Sequence, residues 1–167
     1  MDAIFERASV RQYSDQPVTD HEVDRLLRAA MASPSAGNQQ PWEFYVTRNP
    51  ALAERLAACS PYAVAAKHAP CVIVACVREE GLRFASCAPL DMGACIENLL
   101  LEAVDAGLGA VWMALYPDGE RVSRCAEVLK CDGVSPFALI AVGHPAEAPV
   151  PRGGSRYDAA RVHWMDA

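Results

Sequence analysis

Residues 70–77, PCVIVACV, are apolar throughout and lack the alternation of a strand with one wet face. A strand of this kind is stable only when both of its faces are covered, so helices must lie above and below the sheet that contains it. Three further strands are expected at WEFYV (42–46), GAVWMALY (109–116) and FALIAVG (137–143). The helices are equally legible. In TDHEVDRLLRAAMAS, Thr19 and Glu22 make a capping box, and Val23, Leu26, Leu27, Ala30 and Met31 follow helical spacing, with Pro34 as the stop. Asn49 and Pro50 suit the N-cap and first turn of a short helix through about Cys59. Asp91 is read as the cap of MGACIENLLLEAVDAG, a helix apolar on most of its circumference, closed by Gly107. DGERVSRCAEVL is amphipathic, with Val122, Cys125, Ala126 and Leu129 inward. The expected fold class is α+β, a three-layer α-β-α sandwich in which a mixed sheet carries helices on both faces.

With 167 residues and no linker or internal repeat, residues 1–167 are expected to form a single domain. The segment 144–167 (prolines, adjacent glycines, aromatics) reads as a C-terminal extension that wraps over a surface. A formal net charge of −6 argues against nucleic acid and against an anionic membrane surface as partners. No apolar run is long enough to span a bilayer, and the N-terminus lacks the apolar core of a signal peptide. Seven cysteines without a C-x-x-C pair or zinc-type spacing suggest inert buried thiols in a reducing cytoplasmic setting and no metal site.

No serine or cysteine nucleophile lies beside a histidine, and the motifs G-x-S-x-G, Walker A, H-E-x-x-H and G-x-G-x-x-G after a strand are all absent. An enzyme with so little acid–base equipment points to an organic cofactor as the source of the chemistry. Thirteen of the 15 basic residues are arginine, and two pairs stand out. Arg7 and Arg11 flank Ser9, and Arg152 and Arg156 flank two glycines in the tail. Guanidinium groups at that spacing with a hydroxyl between them suit a phosphate. An ordinary surface-arginine reading stays open on these residues alone. PSAGNQQPW (34–42) is a second unusual stretch, either a plain loop or a surface for something flat and polar.

Taken in order, these segments resemble the nitroreductase family of flavin-dependent oxidoreductases. The likeness rests on R-x-S-x-R/K at Arg7, Ser9 and Arg11. It continues in P-S-x-x-N-x-Q-P-W at Pro34, Ser35, Asn38, Gln40, Pro41 and Trp42, in GLGAVWMALYP, and in the closing ALIAVGHP…RYDAARVHW. The sequence departs from the pattern at Ala114, where glycine is common, at Met92-Gly93, and in the three residues between Pro151-Arg152 and Arg156. The resemblance implies FMN as cofactor and NADH or NADPH as co-substrate. It assigns the phosphate to Arg7, Ala8, Ser9, Arg11, Arg152 and Arg156. The ring goes to Pro34, Ser35, Ala36, Asn38 and Gln40 of the neighbouring subunit and to the stretch Trp112, Met113, Ala114 and Leu115, with the backbone N–H near Ala114 offered to flavin N5. It further implies a homodimer with FMN sites at the subunit interface, the apolar helix 91–106 forming the contact. Hydride would pass by a ping-pong cycle to a small electron-poor acceptor such as a nitroaromatic or quinone. A flavin-binding storage or sensing protein, and relatives that dehalogenate aromatic rings or fragment flavin, are the alternatives.

Overall fold

A computed structural model describes residues 3–151 and 156–165. The elements run α1 (Ala3–Glu6), α2 (Asp20–Met31), β1 (Trp42–Thr47), α3 (Pro50–Ala57), α4 (Val64–Lys67), β2 (Cys71–Arg78), α5 (Ala88–Asp105), β3 (Gly109–Ala114), α6 (Gly119–Leu129) and β4 (Val134–Gly143). The strands form one sheet in the order β1-β2-β4-β3, each neighbouring pair antiparallel. A parallel element enters as an isolated bridge between Ser9 and Ala110 at the outer edge of β3.

Strand β2 behaves as its composition demands. Cys71, Ile73 and Ala75 face one core, with Leu26 and Ala30 of α2 and Met92, Ile96 and Leu99 of α5. Val72, Val74 and Cys76 face the other, with Leu56 of α3, Ala65 of α4 and Cys125 of α6. All six are essentially inaccessible to water. Burying one large aliphatic side chain in either core is worth about 1.5–3 kcal/mol, so the two layers of helices are held on chiefly by this sheet. Arg25 of α2 also meets Glu102 and Asp105 of α5, an ion-pair cluster at the half-exposed end of the helix pair.

Local signals set most boundaries. The Thr19 hydroxyl accepts from Glu22 N–H at 3.2 Å while the Glu22 carboxylate accepts from Thr19 N–H at 2.7 Å, closing the expected capping box. Asn49 accepts from Ala51 N–H at the start of α3, with Pro50 in its first turn. Gly107, at φ +72°, ends α5: its N–H donates to Val104 O and the next N–H to Ala103 O, a Schellman closure. Several boundaries differ from the sequence reading: β3 stops at Ala114, β4 begins already at Val134, and α3 ends at Ala57. Helix α2 stops at Met31, with Ala32 as its cap, before Pro34 is reached. Helix α5 begins at Ala88, with Pro89 in its first turn, so Asp91 lies inside the helix and does not cap it. Its carboxylate is drawn instead to a loop more than fifty residues upstream.

Candidate functional site

The segment after α1 runs in extended form along the outer edge of β3. Val10 N–H donates to Ala110 O at 3.1 Å, beside the Ser9–Ala110 bridge. Glycine at position 109 makes this approach possible, since a Cβ there would lie 2.7 Å from Val10 Cβ and Cγ1. The Tyr13 hydroxyl is within hydrogen-bond distance of Val10 O (2.7 Å) and Ala141 O (3.1 Å), tying the far end of the strip to β4. Burial pushes its ionisation well above the usual phenol range, so it serves as a neutral donor.

Because the Ala110 carbonyl faces the strip, residues at even spacing on β3 turn their backbone groups to the same free edge. Leu115 N–H, of the opposite parity, bonds to Phe137 O on β4. Trp112 and Ala114 therefore offer N–H and C=O to the open side of the sheet, and Ala114 is exposed. Their side chains share the α5 face, whereas Met113 and Leu115 are buried in the opposite core at 5% and 0% exposure. The latter two residues turn their side chains into the opposite core and their backbone polar groups toward β4, so the polar groups offered at this edge come from Trp112 and Ala114.

Two adjoining cavities open here. One, of about 570 Å³, is lined by Arg7, Ala8, Ser9, Val10, Arg11 and Arg156, with Glu147 as the one carboxylate among the described residues. The other, of about 270 Å³, shares Arg7 and Ser9 and extends to Glu97, Leu100, Trp112 and Ala114. Arg7 Nε sits 3.2 Å from Glu97 Oε1, which leaves the terminal nitrogens of its fork for a ligand. Arg11 Nη1 donates to Ser9 O at 3.3 Å. Among the described residues three guanidinium groups face one carboxylate, which leaves the larger cavity cationic in a chain whose net charge is −6. Such a donor set suits a dianion. Arg152 lies outside the described residues.

The 34–42 stretch adds no residue to either cavity. It folds as one turn of 3-10 helix at Ala36–Asn38 with three residues at positive φ: Gly37 (56°), Asn38 (54°) and Gln40 (47°). Asparagine tolerates that conformation and glutamine does so poorly, at a cost of roughly 1–3 kcal/mol for a non-glycine residue. Internal bonds hold the shape. Ser35 Oγ accepts from Gln40 N–H at 2.9 Å, Arg78 Nη2 donates to Gln39 O (2.7 Å) and Gln40 O (3.0 Å), and Asp91 Oδ1 accepts from Ala36 N–H at 2.9 Å. Pro34, Asn38 and Gln40 are exposed, while Ser35 and Ala36 are half-buried.

The structure thus brings Arg7, Ala8, Ser9, Arg11, Arg156, Trp112 and Ala114 to one edge and leaves Pro34 to Gln40 elsewhere on the same chain. Sequence reasoning missed Glu97, Glu147, Gln39 and Arg78. Gln39 lies inside the 34–42 stretch but outside its motif positions, and nothing local marks the other three, which gain their places from elements far along the chain. Among the described residues no group of three or more His, Cys, Asp or Glu could hold a metal ion, and no helix is long and apolar enough to cross a membrane. The cysteines are free thiols, and burial raises Cys71 to about 11 and Cys76 and Cys95 to about 12.

Comparison with known proteins agrees with this architecture. The Nitroreductase family model matches residues 4–65 and 59–144. A "Putative NADH dehydrogenase/NAD(P)H nitroreductase" of Methanothermobacter thermautotrophicus is 35% identical over 98% of this chain and 85% of its own length. The crystal structure of a "Putative NADH Oxidase" from Clostridium acetobutylicum superposes with a TM-score of 0.94 at 40% identity, covering 99% of this chain and 100% of that one. A nitroreductase-type structure from Desulfovibrio desulfuricans, described as a complex with FMN, has a TM-score of 0.80 at 33% identity over 95% of this chain and 91% of its own. By the family model and by relatives matched along nearly their whole length, this chain belongs to the nitroreductase family.

Proposed function

We propose that the protein is an FMN-dependent oxidoreductase using NADH or NADPH as co-substrate. The observation that carries this reading is the convergence of Arg7, Ser9, Arg11 and Arg156 on one cavity beside the free edge of β3. FMN, when bound, supplies hydride chemistry at its N5, accepting from the nicotinamide and delivering to an electron-poor acceptor such as a nitroaromatic or quinone. The residues fit that group: a dianionic phosphate meets arginine forks and the Ser9 hydroxyl, each charge-assisted contact being worth about 1.5–3 kcal/mol. Ala8 lines the floor, and Arg152 belongs to the same set by its place in the sequence. Trp112, Met113, Ala114 and Leu115 run beside the ring, with the outward N–H of Ala114 as the donor that favours negative charge on the ring's reduced edge. The shared position alternates nicotinamide and acceptor in a ping-pong cycle.

Pro34, Ser35, Ala36, Asn38 and Gln40 complete the site from a second copy of the chain. The loop adds nothing to its own cavities, and its free amides match the hydrogen-bonding edge of the ring. A homodimer with FMN at its interface follows, and α5, which carries the exposed Leu90 and packs beside the exposed Ile4 and Phe5 of α1, supplies the contact. The chain acts as one domain whose 144–167 extension, with Tyr157, Trp164 and Met165 exposed, seats on the partner. Seven free thiols fit a cytoplasmic setting.

The test is an anaerobic absorbance titration of the purified protein loaded with FMN. Bleaching of the flavin bands by NADH or NADPH, followed by recovery on adding a quinone, supports the reading. A loaded protein whose bands survive both nicotinamides is a flavin carrier, and a dimer that takes up no FMN refutes the proposal.

A further inference from the structure

Asp91 is a carboxylate at 6% exposure with no basic side chain paired to it among the described residues. A buried charge without a counter-ion is costly unless hydrogen-bond donors surround it. Its donors all come from the 34–42 loop: Ala36 N–H to Oδ1 at 2.9 Å and Gln39 Nε2 to Oδ2 at 2.7 Å. The Gln39 amide is then consumed from its other side, since Oε1 accepts from Phe84 N–H at 3.0 Å and Nε2 also reaches Phe84 O at 3.1 Å. Asp91 can only accept and Phe84 N–H can only donate, so the orientation of this amide is dictated by its surroundings.

The flanking residues have the opposite character. Asn38 and Gln40 are exposed, sit at positive φ, and carry side-chain amides with no hydrogen-bond partner among the described residues. One amide of the triplet is anchored inward so that the two beside it are held outward. Phe84 closes the same turn from above, its ring lying where a Cβ on Gly37 would come within 2.6 Å.

We infer that Asp91 and Gln39 are positioning residues of the FMN site: through the Asp91–Gln39–Phe84 chain they fix the left-handed turn that presents Asn38 and Gln40 to the flavin ring edge in the partner subunit. This rests on the FMN reading above. Neither residue touches the ring, and their effect is transmitted through the backbone of residues 36–40. Losing the carboxylate frees Ala36 N–H and Gln39 together, and the strained backbone at Asn38 and Gln40 then relaxes to ordinary conformations.

The experiment compares Asp91→Asn, Gln39→Glu and the double variant as intact dimers, reading FMN dissociation constants by fluorescence titration. The apoprotein melting temperature and the amide exchange of Ala36 and Asn38 are measured in parallel. Asp91→Asn sets two N–H groups face to face, and Gln39→Glu sets two carboxylates face to face. The double variant restores a donor opposite an acceptor at the 39–91 contact, while Phe84 O loses the donor it has in Gln39. Each single is expected to weaken FMN binding about tenfold or more and to speed exchange at Ala36, whereas the double binds more tightly than either single, giving a coupling of about 1 kcal/mol or more. If both singles bind FMN as the parent does, or if only the melting temperature changes, the inference is overturned and the FMN assignment stands. An additive double variant also overturns it. If the parent itself takes up no FMN, both fall. Should Asp91→Asn fail to fold, Gln39→Ala at its half-buried position carries the same test.

Discussion

Replacing Gly109 by alanine should loosen the strip of residues 7–11 from the sheet without altering any of the arginines that line the cavity. The added Cβ would stand 2.7 Å from Val10 Cβ and Cγ1 and 2.8 Å from Cγ2, and an ordinary contact begins near 3.4 Å, so Val10 must retreat by about 0.7 Å. That retreat acts on the Val10 N–H···O Ala110 bond, now 3.1 Å, and on the Ser9–Ala110 bridge. Overpacking costs about 1–3 kcal/mol and a weakened backbone bond about 0.5–1.5 kcal/mol more. For a domain of this size about 3 kcal/mol corresponds to a melting temperature lower by roughly 6–12 °C, measured by far-ultraviolet circular dichroism. The steric origin is checked with Val10→Gly, which removes all three clashing atoms. In the Gly109→Ala background it should do far less harm than alone, giving a coupling of about 1 kcal/mol or more. A Gly109→Ala protein that melts within about 1 °C of the parent, or a strictly additive pair, would refute the reasoning.

Arg11→Ala should leave most of the purified protein as apoprotein, with FMN affinity weaker by about 10- to 150-fold, as judged by flavin content and titration. Leu26→Ala removes a side chain at 0% exposure between α2 and α5 and should cost about 3–5 kcal/mol in denaturant unfolding. Burial holds Cys71 at about 11 and Cys76 and Cys95 at about 12, above the unfolded value of 9.0, so their contribution is intact below pH 9. Above pH 9 the unfolded chain sheds protons that the folded one keeps, so the denaturant midpoint should fall from pH 8 to pH 10.5. A thiol reagent at pH 8 should react fast only with the half-buried Cys87 and Cys131.

What could be read from the sequence was whatever depends on neighbours in the chain. The Thr19–Glu22 box, the Asn49–Pro50 start and the Gly107 stop are each decided within four residues, and the structure contains all three. The two-sided burial of β2 was legible because composition alone requires it. Asp91 shows where this reasoning ends. Its type and its place ahead of a helical run match an N-cap, but Ala88 and Pro89 had already started the helix and the side chain was free for Ala36 and Gln39. Likewise Arg7, Ser9 and Arg11 carried a visible pattern, whereas Glu97 and Glu147 reach the same cavities only through folding of α5 and the segment after β4.

The strip of residues 7–11 hems the sheet as well as lining the proposed phosphate cavity. It covers only the first part of β3, through a bridge at Ala110, and among the described residues the remainder at Trp112 and Ala114 has no strand paired to it, leaving an edge open to another extended chain. The flavin proposed for that remainder would also shield the molecule from self-association. Loss of the ligand therefore has a colloidal consequence as well as a chemical one, and it is greatest in variants whose strip has already come away.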